Sequence, residues 1–331
     1  MKNQLQEKLS LFVENAQDIK SGFFMQNPMT KRLAALIYTL ETKHMDDDAI
    51  KESHAMLKDQ TGFFSYFRGN LSIYISASLS LTENREQRLT DTLAVYDLLK
   101  VQNFHASDYL AAASYQIAAN AESGRYRQIV DRSRGFYDAM KANHFFYTGQ
   151  DDYIYAAMLG LSDIDVDAGS EKMERLYQNL KPDFFDKNSI QALAQVLVLG
   201  GETDESLTNV YLFRDALRNR NIKLDKTYTL PSLGVLSMLT SDADTASGEI
   251  AEAKDILREQ KGFGAFSVEM QELLLYVVSI VCSLYANDIK NGIIKATVST
   301  SVASLIIAQE AAMAAAFAAS SAATAAAASS H

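Results

Sequence analysis

The chain of 331 residues contains one cysteine, three prolines and no tryptophan. The lone Cys282 excludes an intramolecular disulfide, and its position in an apolar run predicts a buried, inert thiol rather than a nucleophile. Because proline interrupts helices, its scarcity permits long continuous helical segments. Residues 1–8 are polar and lack the apolar core of a signal peptide, which predicts a cytoplasmic protein.

Basic residues are outnumbered. The chain has 31 Lys and Arg against 41 Asp and Glu, and its formal net charge is −10 at pH 7. No dense run of Lys or Arg is present, so we expect no nucleic-acid partner. The glycine-rich phosphate loop, the GxSxG nucleophile elbow and the dinucleotide fingerprint are also missing, which argues against the common enzyme classes that use them.

A degenerate repeat is the strongest positive pattern. An apolar residue followed by a basic residue recurs six times, at successive spacings of 42, 41, 40, 37 and 40 residues. The pairs are Leu57-Lys58, Leu99-Lys100, Met140-Lys141, Leu180-Lys181, Leu217-Arg218 and Leu257-Arg258. This period is typical of stacked helical hairpins, because one pair of short helices cannot bury its apolar faces alone. We therefore predict an all-α fold, a right-handed α-solenoid of six or seven helix-turn-helix repeats of roughly 40 residues.

Each repeat is predicted to contain a compact helix A and a more amphipathic helix B. Small residues in the A helices, as in residues 33–36, let neighbouring backbones approach closely, which places these helices in the buried layer. The basic residue of each pair suits the negative end of helix B, and a bulky residue shortly afterwards is expected to pack over that end. These bulky residues are Phe63, Phe104, Phe145, Phe184, Ile222 and Phe263.

Composition also predicts a domain boundary. Residues 1–295 are expected to form the helical-repeat domain, with residues 1–25 as an N-terminal capping helix. From Ala296 to Ser330 there are sixteen alanines, and Glu310 is the only formally charged side chain. Residues 296–331 are therefore predicted to be a docked helix or a partly disordered tail. Attachment to a membrane through this segment is a weaker alternative, because alanine contributes little to membrane insertion.

An acidic turn is the best candidate for a metal site. Its carboxylates have the relative spacing of the oxygen ligands in a calcium-binding helix-loop-helix. They are Asp163, Asp165, Asp167 and Glu174. Ala168 stands where that loop needs glycine, so a capped turn between helices A and B is the simpler interpretation. A second acidic turn, His44 with residues 46–48, is open to the same two interpretations.

Three residues are candidates for contact with a partner. Arg68 lies at the entry to an apolar A helix, where its guanidinium could bind a carboxylate of a partner or of a neighbouring turn. Asp151 and Asp152 begin a later A helix, where aspartate also serves as a cap.

Residues 31–239 resemble a family of bacterial proteins catalogued as a domain of unknown function. The resemblance depends on residues 33–36, 67–70, 107–110 and 151–153, and on the alanine- and serine-rich C-terminal segment. It implies a bacterial, soluble, all-helical protein and supplies no catalytic residues.

We therefore expect a non-enzymatic scaffold that binds a protein or peptide on the concave face of its repeats and needs no cofactor. A metal-dependent enzyme or calcium-binding protein that uses the acidic turns, and a peripheral membrane protein held by its tail, stay open as alternatives. No oligomeric state follows from the sequence.

Overall fold

The computed structural model describes residues 2–23, 27–63, 65–69, 71–201, 204–225 and 229–290. In these residues all regular structure is helical, with fourteen α-helices, three short 3-10 turns and no strand. The predicted all-α class is therefore confirmed. The predicted alanine-rich tail, residues 296–331, lies outside the described residues.

The α-helices are α1 (Lys2–Gly22), α2 (Pro28–Leu40), α3 (Asp47–Gln60), α4 (Ser72–Ser80), α5 (Arg85–Val101), α6 (Asp108–Asn120), α7 (Tyr126–Asn143), α8 (Tyr153–Leu161), α9 (Val166–Leu180), α10 (Lys187–Leu199), α11 (Asp204–Arg218), α12 (Leu230–Leu239), α13 (Ala243–Glu259) and α14 (Met270–Lys290). The 3-10 turns are η1 (Tyr66–Arg68), η2 (Ser123–Arg125) and η3 (Gln150–Asp152). The chain divides into two compact units. In its described part, the N-terminal unit is residues 14–167, and the C-terminal unit is residues 168–290 together with residues 2–13.

In the N-terminal unit, helices buried on all sides alternate with helices buried on one face. Every residue from Ser72 to Leu79 of α4 is buried, and so is every residue from Tyr153 to Gly160 of α8. Helices α3, α5 and α7 bury only a stripe of residues and pack on α4, α6 and α8 respectively. The expectation that the A helices form the buried layer agrees with this burial.

Two features of the N-terminal unit hold its backbone segments together closely. The buried Asn15 amide donates to Thr39 Oγ1 at 3.1 Å and to the Lys43 carbonyl at 3.0 Å, and its oxygen accepts from the Met45 amide at 2.8 Å. All the hydrogen-bonding groups of a buried amide are thus used, which avoids the cost of leaving them unsatisfied. At Gly160 a Cβ atom would lie 2.2 Å from Ser133 Oγ, so glycine is what lets α8 approach α7.

The C-terminal unit follows the same pattern. Helices α10 and α12 are buried along nearly their whole length, and α12 packs on α10, α11 and α14. Phe12 of α1 lies against Phe263 and Tyr276, with ring centroids 5.4 and 5.1 Å apart. Helix α14 contains one stretch, Met270–Asn287, that is long and apolar enough to cross a membrane, but 83% of it is buried inside the protein. Its packing on α12 and α13 is that of a core helix.

The ends of the B helices carry the repeated residue pairs. The apolar member of each pair is buried in all six copies. Two of the basic members satisfy backbone carbonyl groups, because Lys141 donates to Thr148 at 2.6 Å and Arg258 donates to Val268 at 2.8 Å. These contacts agree with the predicted role at the helix C-terminus.

The prediction that a bulky residue covers each B-helix end is right for Phe104, Phe184, Ile222 and Phe263, which are all buried. It is wrong for Phe63 and Phe145, whose side chains are 79% and 65% exposed. After α3 the turn η1 brings Phe67, which is 1% exposed, into the interior instead. After α7 the buried Thr148 covers the helix end, since its hydroxyl donates to the Met140 carbonyl at 3.1 Å.

Candidate functional site

In the N-terminal unit, three connections lead from a B helix to the next A helix: from α3 to α4, from α5 to α6 and from α7 to α8. We call these connections junctions. In each case the two helices pack on each other and run antiparallel, so the three junctions lie at one edge of the unit. The start of α6 contacts both η1 and η3. We call this surface the junction edge and define it as residues 59–69, 101–109 and 144–152 in their described part. It brings the predicted contact residues Arg68, Asp151 and Asp152 to either side of Asp108.

Arg68 is used inside the protein. Its Nη2 donates to the carbonyl oxygens of Lys58 and Thr61, the latter at 2.6 Å, and its Nε donates to Thr61 Oγ1 at 3.2 Å. The carbonyl groups at the end of a helix lack partners within that helix, and a guanidinium is well suited to satisfy them. Arg68 therefore closes α3 and fixes η1 in place.

Asp152 also has an internal role. Its side chain is buried, and its Oδ2 accepts from the Gly149 amide at 2.9 Å. Asp151 is half-buried in the same turn, η3. The next residue, Tyr153, packs edge-on against Phe104 at 4.9 Å and accepts a hydrogen bond from the His105 amide at 3.2 Å. The turn therefore anchors the end of α5 to the start of α8.

Asp108 lies between these predicted contact residues, although the sequence analysis did not name it as a candidate. Ser107 caps α6, since its Oγ accepts from the Leu110 amide at 3.1 Å, and this leaves the neighbouring Asp108 carboxylate unused. Throughout the described residues, no hydrogen bond or ion pair to that carboxylate is found. Burial raises the pKa of Asp108 to about 6. A desolvated carboxylate with a raised pKa is a recognised mark of a functional site.

Two tyrosines, Tyr96 and Tyr109, lie close enough to Asp108 to feel its charge. Burial, followed by the influence of Tyr66, Asp97 and Asp108, raises the pKa of Tyr96 to about 12. Burial and then the charges of Asp151, Asp108 and Asp152 also raise the pKa of Tyr109. A Cβ atom on the exposed Gly69 would lie 3.6 Å from Asp108 Oδ1. We call the group formed by Tyr66, Gly69, Tyr96, Asp108 and Tyr109 the Asp108 notch.

Exposed apolar side chains lie on the same edge. In the described part of the N-terminal unit, every exposed large hydrophobic side chain belongs to the junction edge. These side chains are Phe63, Tyr66, Val101, Phe145 and Phe146. Phe146 is 89% exposed, and its ring meets Phe145 edge-on at 5.5 Å. Apolar groups concentrated on one part of a surface mark a site of interaction.

The four carboxylates of the predicted calcium loop are spread over a turn and the helix that follows it. In the described residues, no group of three or more His, Cys, Asp or Glu is placed to hold a metal ion. Helix α9 already begins at Val166, so Asp167 and Glu174 are separated by seven helical residues, or about 10 Å along the axis. Asp165 instead accepts from the Asp167 amide at 3.1 Å, and Asp163 lies in the preceding turn. Asp163 and Asp165 therefore precede α9, Asp167 lies in its first turn, and Glu174 lies in its middle.

The acidic turn near His44 has the same explanation. Asp46 caps α3 by accepting from the Ala49 amide at 2.9 Å, and His44 Nδ1 lies 3.6 Å from Glu14. His54 lies in α3, where its Nδ1 is 3.2 Å from Ser76 Oγ. Burial, followed by the charges of Lys58 and Arg68, lowers the pKa of His54 to about 4. His54 is therefore neutral at pH 7.

Comparison with known proteins gives a family. The family model described as a protein of unknown function (DUF4003) matches residues 15–311. The chain belongs to this family. The resemblance seen in the sequence is therefore confirmed, and the match includes both the junction edge and the described C-terminal helices. No curated protein and no solved structure matches the chain.

Proposed function

We propose that this DUF4003 chain is a non-enzymatic, cytoplasmic scaffold, built as a right-handed α-solenoid, that binds a protein or peptide partner at the junction edge. The observation that carries the proposal is that, in the described part of the N-terminal unit, all exposed large apolar side chains lie at that edge. A single exposed phenylalanine is ordinary on a protein surface. Five such side chains on three successive junctions, with none described elsewhere in the unit, form a surface that water solvates poorly.

Charge supports the choice of this edge. The turns that connect the A helices to their following B helices, at the opposite edge of the same unit, together carry more acidic than basic residues. Their acidic residues are Glu41, Asp46, Asp47, Asp48, Glu83, Glu86, Glu122, Asp163, Asp165 and Asp167. Charged residues are depleted at the cores of protein interfaces, whereas aromatic residues are enriched there. The junction edge, with its phenylalanines and tyrosines, has the composition of an interface.

The predicted contact residues have distinct parts in this proposal. Arg68 and Asp152 hold the turns η1 and η3, and so keep the aromatic side chains in position. Asp151 is the half-buried member of the three and is the one we propose as a partner contact.

Site-specific photo-crosslinking in the native cell tests the proposal. A photoreactive phenylalanine analogue replaces Phe146 in the full chain, and the same analogue replaces the exposed Glu86 at the opposite edge as a matched control. We expect a discrete crosslinked protein from position 146 and none from position 86. The proposal is wrong if neither position gives a product, if both give the same products, or if the adduct at position 146 is a lipid.

A further inference from the structure

The Asp108 notch is open at Gly69, and the conformation of the turn does not explain why a glycine stands there. Gly69 has φ −77° and ψ −155°, a conformation that other residues adopt without strain. Glycine is therefore not needed for the shape of the turn. What its missing side chain provides is space, because a Cβ atom at this position would already lie 3.6 Å from Asp108 Oδ1. A longer side chain would extend over the carboxylate.

Among the described residues, no counter-charge is paired with the carboxylate in this opening. Burial alone accounts for the raised pKa of Asp108, and no described cation offsets it. The nearby Arg68 guanidinium is directed to the carbonyl groups at the end of α3. A partly desolvated carboxylate gains more from an incoming cation than an exposed carboxylate does, because the medium around it screens charge less.

The rings beside the carboxylate suit the same ligand. Lys100 Nζ already lies 5.7 Å from the centroid of the Tyr96 ring, so this ring accepts a cation at cation–π distance. The half-exposed Tyr66 and the exposed Phe63 and Val101 lie on the same edge. Such apolar groups can cover the methylene chain of a lysine or arginine whose charged end reaches the carboxylate.

We propose that the Asp108 notch binds a lysine or arginine side chain of the partner, with the cation paired to the Asp108 carboxylate and lying against the rings of Tyr66 and Tyr96. This inference rests on the proposed function, because the exposed phenylalanines of the same edge supply the surrounding contacts. It adds the chemistry of the partner, which is a basic and apolar segment.

The pairing makes binding depend on pH. Charged and titratable groups lie on the elements that meet the start of α6: Tyr66, Arg68, Tyr96, Asp97, Lys100, His105, Tyr109, Asp151, Asp152, Tyr153 and Tyr155. Tyr96, Tyr109 and Tyr155 have raised pKa values and stay neutral below pH 8. Asp108, with its pKa of about 6, therefore loses its charge as the pH falls from 7 to 5, and affinity for a cation is expected to fall with it.

The test uses the full chain with 13Cγ-labelled aspartate, followed by NMR. The Asp108 resonance is assigned by its loss in Asp108→Asn. The probes are N-acetyl-arginine amide and, as a neutral analogue of similar length, N-acetyl-norleucine amide. We expect the arginine probe alone to shift the Asp108 resonance and to lower the apparent pKa of Asp108, with affinity about tenfold weaker in Asp108→Asn, as read from other resonances.

Two variants make the result specific. Gly69→Leu should cover the carboxylate and abolish the response to the arginine probe while the other resonances show an intact fold. Asp59→Asn removes an equal charge from an exposed position on the same edge and should change affinity less than twofold, or about 0.4 kcal/mol. The inference is overturned if Asp108 does not respond, if both probes act equally, or if Gly69→Leu leaves the response unchanged. Photo-crosslinking at position 146 tests the proposed function independently. If a partner is crosslinked there but the Asp108 notch does not bind the arginine probe, the inference about the notch is wrong and the proposed function stands.

Discussion

The close approach of α8 to α7 can be tested by the change in the free energy of unfolding that Gly160→Ala causes. Helix propensity predicts that this change is stabilising, whereas the packing of the two helices predicts that it is destabilising. Gly160 lies inside α8, where replacing glycine by alanine would by itself stabilise a helix by about 1 kcal/mol. In this structure the new Cβ atom would lie 2.2 Å from Ser133 Oγ, 2.7 Å from the Ile129 carbonyl oxygen and 3.0 Å from the Ser133 amide nitrogen. All three distances are well below the roughly 3.5 Å of an unstrained contact. Gly160→Ala therefore forces a shift.

The magnitude follows from what must move. Ser133 Oγ donates to the Ile129 carbonyl at 2.7 Å, so rotating this side chain away loses a hydrogen bond worth about 1 kcal/mol. Two of the three clashing atoms belong to the α7 backbone, so α7 and α8 must also separate, and overpacking of this kind costs about 1–3 kcal/mol. After the propensity gain is subtracted, we expect Gly160→Ala to lower the free energy of unfolding by about 2 kcal/mol.

Urea denaturation followed by circular dichroism measures this change, with the m-value reporting whether unfolding stays cooperative. Gly248→Ala is the matched control, because Gly248 lies within α13 and its added Cβ would find only Arg220 Nη2, at 3.9 Å. That variant should gain up to about 1 kcal/mol. If Gly160→Ala is neutral or stabilising, the described approach of the two helices is incorrect.

Three further predictions follow from the N-terminal unit. Phe67→Ala should destabilise by about 3–5 kcal/mol, because Phe67 is buried, whereas Phe63→Ala should change stability by less than about 1 kcal/mol; equal losses in urea denaturation would contradict the described junction. Arg132→Met should destabilise by about 2 kcal/mol, because its guanidinium satisfies three carbonyl groups at and just beyond the end of α8, whereas the exposed Arg127→Met on the same helix should be near neutral in the same assay. His54 should titrate near 4 by NMR; since its folded pKa lies below the unfolded value, its contribution lowers stability as the pH falls from 6.5 towards 4, and a titration near 6.5 would refute its burial.

Local patterns predicted much of the helical structure. The side chains of Asn27, Asn84 and Ser107 each accept a hydrogen bond from a backbone amide at the start of a helix. Such caps are readable because the chemistry involves residues only two or three positions apart. At the start of α10, which has an aspartate, an asparagine and a serine close together, the cap is Asp186, since its carboxylate accepts from the Asn188 amide. Several nearby polar residues can play the same part, so sequence locates a helix start better than it identifies the cap.

The calcium hypothesis shows how far ligand spacing depends on the backbone. The intervals between Asp163, Asp165, Asp167 and Glu174 suit a loop, but the chain turns helical at Val166. Ligand spacing predicts a metal site only if the backbone wraps around the ion, and the backbone here follows the helix instead. The candidate site at Asp108 was missed for a related reason. Its residues come from η1, α5 and α6, and the sequence contains no signal that joins them.

The sequence by itself determined the helical class, the spacing of the helix ends and the buried apolar member of each repeated pair, because these depend on periodicity and on neighbours within a few positions. Only the tertiary structure decided which aromatic residue of each junction is buried. Phe63 and Phe67 are equally hydrophobic, but the turn η1, held by Arg68, directs Phe67 inwards and leaves Phe63 in water. The exposed aromatic side chain at this junction, which forms part of the candidate site, is a product of that choice.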